Sequence, residues 1–300
     1  MPLLVVGSVA LDSVETPSQT REDILGGSAV YFSYAASYFT PVRLVGAVGE
    51  DWPAKHTQLL ESRNIDTSGL HVISGAKTFR WRGKYHQNMN DRDTLEVHLN
   101  VMEQFDPVLP ENFRRCPFLF LANGSTKTQL KVLDQCQGPS LVVADTMDLW
   151  IRTEPDELKE LLQRIDGLVL NDSEAQLLTG EDNLIRAGNL VREMGPSFVV
   201  IKKGEHGAMF FGKHELYVLP AYPTSRVVDP TGAGDSFAGG MMGYLASKGN
   251  FDPKTLKEAM AYGMLVASFT VEDFSLDRLL GITRDDLDKR MDEYRHMLTF

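Results

Sequence analysis

Residues 229–237 read Asp229-Pro230-Thr231-Gly232-Ala233-Gly234-Asp235-Ser236-Phe237, and this stretch decides the fold. Glycines at 232 and 234 permit a tight turn and let a backbone approach a bound group closely. Small and apolar residues follow, through Ala238, Gly239, Gly240 and Met241, so the pattern predicts a helix over 236–246 that begins at the turn. The first amides of a helix have no partner within it and lie at the positive end of its dipole, which makes an anion hole. Asp235 stands in the mouth of that hole. Spacing alone leaves two roles open. The carboxylate could cap the helix, or it could take a proton from a substrate hydroxyl while the amides hold a transferring phosphoryl group.

Several other phosphate and hydrolase motifs are excluded. No Gly-x-x-x-x-Gly-Lys-Ser/Thr loop occurs, and the first strand runs into Gly7-Ser8-Val9-Ala10-Leu11-Asp12 without the dinucleotide fingerprint. There is neither a His-Glu-x-x-His pair nor a Gly-x-Ser-x-Gly elbow. The seven histidines are scattered without metal spacing, and the two cysteines, Cys116 and Cys136, cannot alone make a disulfide framework or a four-ligand zinc site. Met241, Met242, Met260 and Met264 read as helix core.

Composition sets the class. The 300 residues are 43% hydrophobic and 24% charged, which excludes disordered, collagenous and coiled-coil chains. With 41 acidic against 30 basic residues, the net charge of -11 argues against nucleic acid as a partner. The apolar run Leu3–Gly7 is too short for a signal peptide or a membrane span, so no membrane partner and a cytoplasmic setting are expected.

Apolar runs at 3–7, 42–48, 118–122, 141–144, 167–170 and 198–201 read as buried strands. Between and after them, helices are predicted at 28–39, up to 63, at 128–135, 154–164, 172–178 and 183–194, and then at 236–246, 253–271 and 283–299. A turn is expected at 64–69 and a hairpin at 210–219. This alternation is α/β. Residues 70–99 differ: 72–74, 78–81 and 84–86 look like short strands joined by polar turns. That segment reads as a small inserted sheet or lid, with strand contributions from 12–25, on a single domain spanning 1–300.

Taken together, these segments resemble the ribokinase-like, or PfkB-type, carbohydrate kinases. Asp229 to Gly240 matches the C-terminal signature of that family. Gly7-Ser8 with Asp12 looks like its first strand and substrate aspartate, and Gly26-Gly27 like its paired glycines. Val45 to Asp51 matches the next strand and turn. Asn171-Asp172-Ser173-Glu174 resembles the Asn-x-x-Glu segment, and Lys202 to Ala208 the late strand and glycine turn. The resemblance covers roughly residues 3–275. It implies a three-layer fold with a central, mostly parallel sheet and a small β lid.

The resemblance also implies chemistry. The amides of Gly232, Ala233 and Gly234 would form the anion hole, and Asp235 would be the base. Asp12, Gly26 and Gly27 would hold the acceptor. ATP would lie against Lys202 and Gly204, with Mg²⁺ organised by Glu174 and, through water, Asn171, because this cation prefers hard oxygen ligands. Read only as residues, Asn171 and Glu174 are equally a capping box. Asp229 and Thr231 mark a candidate K⁺ site, and 265–270 would line the adenine side or simply be helix core. The family's asparagine four positions after the second glycine is Tyr31 here, which weakens a plain ribose-kinase reading. Trp81 and Tyr85 could pack on a ring face. Arg80 and Arg92 could read an acceptor anion or simply face solvent. Asn123, just beyond a strand end, is a pocket candidate.

The expected activity is ATP-dependent phosphorylation of a small sugar-like acceptor. The alternatives are a nucleoside or inositol kinase on the same scaffold, or a silent ligand-binding relative. A Rossmann-type oxidoreductase is a distant reading. A homodimer through the lid is the expected assembly, since exposed sheet edges invite pairing.

Overall fold

The computed structural model describes residues 1–299, and its first half interleaves two sheets. In chain order it runs β1 (Leu3–Val6), β2 (Ala10–Glu15), β3 (Thr20–Gly26), α1 (Ser28–Ala36), β4 (Val42–Gly49), α2 (Ala54–Glu61), β5 (Ile65–Ile73), β6 (Phe79–Tyr85), β7 (Arg92–His98) and β8 (Phe118–Leu121). A regular alternation follows: α3 (Thr126–Gln135), β9 (Leu141–Asp145), α4 (Asp148–Thr153), α5 (Pro155–Leu162), β10 (Gly167–Asn171), α6 (Asp172–Thr179), α7 (Leu184–Glu193) and β11 (Phe198–Lys202). The hairpin β12 (Ala208–Phe211) and β13 (Leu216–Leu219) precedes α8 (Ala233–Lys248), α9 (Pro253–Thr270), α10 (Asp277–Leu280) and α11 (Arg284–Leu298).

The larger sheet has nine strands in the order β13-β12-β11-β10-β9-β8-β1-β4-β5. It is parallel from β11 through β5, and the two antiparallel pairings are those of β12 with β11 and with β13. Its strands are apolar on both faces because both are covered. Leu3 and Val5 of β1 join a core with Phe32 of α1, Met241 of α8 and Leu265 of α9. Their neighbours Leu4 and Val6 join a second core with Leu130 of α3, Leu161 of α5 and Ala187 of α7. The result is the three-layer α/β architecture.

Strand β1 pairs with β4 on one side and β8 on the other, so chain order reverses there. Ligands of open α/β sheets bind beyond the carboxyl ends of strands at such a switch point. Gly7 and Asn123 follow those two strand ends. Gln129 holds this edge together, its amide donating to the carbonyls of Leu121, Ala122 and Asp145 at 3.2, 3.0 and 2.9 Å.

The second sheet has four strands in the order β3-β2-β6-β7. It differs from the sequence reading in three ways. The short strands expected at 78–81 and 84–86 form one continuous β6. Residues 92–98, where no strand was expected, pair with it as β7. Residues 72–73, expected in the small sheet, instead end β5 in the large one, and the turn expected at 64–69 lies mostly within that same strand. Edge position explains this last difference. The start of β5 alternates buried Ile65, Thr67 and Gly69 with exposed Asp66 and Ser68, so it lacks the apolar run of an inner strand. Among the described residues, no helix is long and apolar enough to cross a membrane.

Candidate active site

The glycine turn begins α8 as its sequence requires. Gly232 is left-handed at φ 75°, and a Cβ there would lie 2.3 Å from the Tyr31 ring, so only glycine fits. The amides of Gly232 and Gly234 have no acceptor among the described residues, whereas Ala233 donates to the Pro230 carbonyl at 3.1 Å. Of the three amides expected to form an anion hole, those of Gly232 and Gly234 are thus free, and that of Ala233 is engaged in the turn. Asp235 sits in the first turn of α8.

Asp12 approaches from the small sheet. It is 4% exposed, and its Oδ1 has no partner among the described residues. A Cβ on Gly26 would fall 2.0 Å from Asp12 Oδ2, so the side chain fills the space that this glycine leaves. Gly27, at φ 98°, turns the chain into α1. Trp81 lies opposite Asp12 in the parallel β2–β6 pairing and packs with Tyr85 on the same face. The Tyr85 hydroxyl accepts from Thr231 Oγ1 at 3.2 Å, which docks the small sheet against the glycine turn.

Tyr31 is 1% exposed, with its hydroxyl buried and unpartnered beside Asp229 and Asp12. Its ring floors the glycine turn and does not line an open surface. The Asn123 amide is engaged within the protein, accepting from Trp150 Nε1 at 2.9 Å and donating to Met147 Sδ at 3.2 Å. Arg80 lies away from the site: it ties β6 to Asp23 and, at 3.0 Å, to Asp51. Residues 265–270, one candidate for the adenine side, are buried helix core except for half-buried Ala267.

On the far side of the turn, Lys202 Nζ lies 3.1 Å from Asp145 Oδ2 and 3.2 Å from where a Cβ on Gly234 would be. Asp145 is the residue that sequence reasoning missed. Its one signal is a carboxylate closing an apolar strand at the same sheet edge as Asn171 and Lys202. Asn171 and Glu174 form a true capping box: Glu174 N donates to Asn171 Oδ1 at 2.8 Å, and Asn171 N to Glu174 Oε2 at 2.7 Å. Gly204 begins the next turn, where Glu205 accepts from Asn90 at the tip of the β6–β7 hairpin at 2.9 Å.

Burial and crowding set the charge state. Burial raises the Asp12 carboxyl to about 7 against the backbone amide of Gly27, helped by the charges of Asp229 and Asp235. Burial and Asp145 raise Asp235 to about 7 against Lys202 and Arg92. Burial raises Asp229 to about 6 and pushes Glu174 up as well. Lys202 is also held up: desolvation works against its charge, but Asp145, Glu174 and Asp235 outweigh it.

The raised carboxyls have a consequence for stability. Each binds a proton in the folded chain at a pH where the unfolded chain has released it. Their stabilising contribution is complete below about pH 4 and is lost as pH rises through 6–7. The ligand-free protein is expected to be roughly 2–4 kcal/mol more stable near pH 5 than near pH 8. Urea unfolding at the two pH values checks this, and the Asp12→Asn variant should flatten the difference.

The sequence profile of the pfkB family carbohydrate kinases matches residues 4–279. The chain belongs to that family. This pfkB-family kinase is 29% identical to a cytidine kinase of Thermococcus kodakarensis over 88% of its own chain and 94% of the relative's. It is 32% identical to an inositol 3-kinase of Arabidopsis thaliana over 96% of its chain and 80% of that protein. Its fold superimposes on the crystal structure of the Methanocaldococcus jannaschii nucleoside kinase, a ribokinase-family member, with a TM-score of 0.78 at 19% identity. That match covers 97% and 98% of the two chains. The pfkB-family kinase thus has the ribokinase-like three-layer fold, and phosphoryl transfer to a small molecule is its class of reaction.

Proposed function

We propose that this kinase moves the γ-phosphoryl group of ATP to a hydroxyl of a small polyhydroxylated acceptor, with Asp235 as the base. One observation carries the reading: a carboxyl raised to about 7 stands in the first turn of α8, beside the unpartnered amides of Gly232 and Gly234. A base of that affinity is matched to a proton leaving a hydroxyl near neutral pH. Asp12, with a free buried oxygen and the Gly26-Gly27 bend against it, would orient the acceptor. Gly232 and Gly234 would hold the transferring group, and Lys202 and Gly204 would face the nucleotide.

The donor set suits Mg²⁺ held partly by phosphate and water. Glu174 keeps one carboxylate oxygen outside the capping box, and Asn171 adds a water-bridging oxygen. Bound there, the ion would neutralise phosphate charge. At Asp229, Oδ1 accepts from Thr231 N at 2.9 Å while the buried Oδ2 has no partner among the described residues, which fits one ligand of a K⁺ site. The four-stranded sheet would act as a lid that keeps water from competing as acceptor, and dimer formation through it remains part of the reading.

A nucleoside acceptor is the second reading. The aromatic pair Trp81 and Tyr85 on the face shared with Asp12 would suit a base, and the cytidine kinase relative points the same way. ADP release from Mg-ATP across sugars, sugar phosphates, inositols and nucleosides tests both. One acceptor giving sustained turnover is expected. Nucleotide binding without turnover on any acceptor would favour a silent ligand-binding relative.

A further inference from the structure

The arginines of β6 and β7 differ in how they are used. Arg80 is paired with Asp23 and Asp51, and Arg82 with Glu15 and Glu22. Arg92 has no carboxylate partner among the described residues. It begins β7 directly opposite Tyr85, and its guanidinium lies 5.8 Å from the centre of the Trp81 ring, on the face of the small sheet that carries Asp12. Two contacts bracket its position. On one side Tyr85 meets Thr231 of the glycine turn, and on the other Asn90 of the hairpin tip meets Glu205 beside Gly204. The hairpin therefore spans from the acceptor side to the nucleotide side, and Arg92 stands between its two footholds.

Charge balance gives this placement a purpose. The site collects Asp12, Asp145, Glu174, Asp229 and Asp235, while its ammonium, Lys202, is already paired with Asp145. A nucleotide triphosphate entering so acidic a cleft needs positive charge that no protein carboxylate has neutralised. We propose that Arg92 is a catalytic residue that reaches from the lid to the transferring phosphoryl group. The influence of its charge on Asp235 and on Tyr85 agrees with that reach.

The role rests on the phosphotransferase reading above. In the step itself, the acceptor oxygen forms its bond to the γ-phosphorus as the bond to the β–γ bridging oxygen breaks. The hydroxyl proton passes to Asp235, and ADP leaves with the bridging electron pair. Charge spreads over the equatorial oxygens of the moving group, where a fork of N–H donors stabilises it more than it stabilises bound ATP. The effect should therefore appear in kcat and not in the acceptor KM.

The test compares wild type, Arg92→Gln, Arg92→Lys and Arg82→Gln in turnover with the best acceptor of the panel. A calorimetric comparison of Mg-ADP with Mg-ADP plus aluminium fluoride, a mimic of the moving group, runs alongside. Arg92→Gln is expected to lower kcat about a hundredfold or more, with acceptor KM within about threefold, and Arg92→Lys to lower it about tenfold, because a point charge replaces the fork. Arg92→Gln should also lose the extra affinity that aluminium fluoride adds while binding Mg-ADP as before. Arg82→Gln, which disturbs only the outer face of the lid, should stay within about twofold on every readout.

An unchanged kcat in Arg92→Gln would overturn this role while leaving the phosphotransferase reading in place, as would a rise in acceptor KM alone or an equal loss in Arg82→Gln. If wild type shows no acceptor turnover, the aluminium fluoride comparison decides: retained affinity in Arg92→Gln overturns the role. Wild type that binds no Mg-ADP at all overturns both readings together.

Discussion

Asp235→Asn is expected to lower kcat by roughly 10³-fold, within the usual range for removing a general base, while Mg-ATP still binds. The substitution keeps the shape of the side chain and the helix turn but cannot accept the proton. Burial and Asp145 raise the carboxyl to about 7, so wild-type kcat/KM should climb as pH rises toward that value and then level off. The variant should lose that rise. The same replacement removes one of several crowded carboxyls, so Asp235→Asn should unfold at a higher urea concentration than wild type at pH 8. A fall in activity accompanied by a gain in stability would separate a catalytic carboxylate from a mere helix cap, whose loss destabilises by about 1 kcal/mol.

Lys202→Met should have the largest effect on stability. Lys202 and Asp145 form an ion pair whose side chains are 18% and 5% exposed. Removing one partner leaves an uncompensated buried charge, which costs roughly 3–5 kcal/mol. The double variant Lys202→Met with Asp145→Leu should recover much of that loss, because the pair as a whole contributes little beyond an apolar pair of similar volume. Both variants should bind Mg-ATP more weakly than wild type, since Lys202 lies against Gly234 at the start of α8, where the phosphates are proposed to bind. Chemical denaturation and nucleotide titration separate the two effects. Equal stability of Lys202→Met and wild type would mean that the pair is not closed in solution.

The parts of this molecule that were legible in sequence are those whose chemistry is local. The glycine turn could be read because two glycines, a carboxylate and a small-residue helix sit within a dozen positions, and the structure assembles them as a helix start. Inner strands of the large sheet could be read because coverage on both faces makes them continuous apolar runs. The small sheet was harder. Strand β2 pairs in parallel with β6 almost 70 residues later, and only that pairing places Asp12 beside Trp81. Strand β7 is exposed along its whole length, so its alternating Leu95 and Val97, with Leu99 just beyond, cover no buried face.

The candidate site shows the same division. Spacing suggested that Asn171 and Glu174 make a capping box, and they do. The Lys202–Asp145 pair joins two strand ends 57 residues apart, and no local pattern announces it. Tyr31 could be recognised as a departure, but its fate as the floor of the glycine turn depends on how closely α1 approaches α8. The hydrogen bond from the Ala233 amide to Pro230 likewise depends on the turn's exact geometry, which no spacing rule gives.

The most direct measurement is phosphorus NMR of the reaction mixture, with Mg-ATP and the best acceptor, for wild type and Asp235→Asn together. A phosphate ester on an acceptor oxygen is expected, formed in step with ADP by wild type and nearly absent with the variant. Release of inorganic phosphate alone, or equal ester formation by the two proteins, would contradict this expectation.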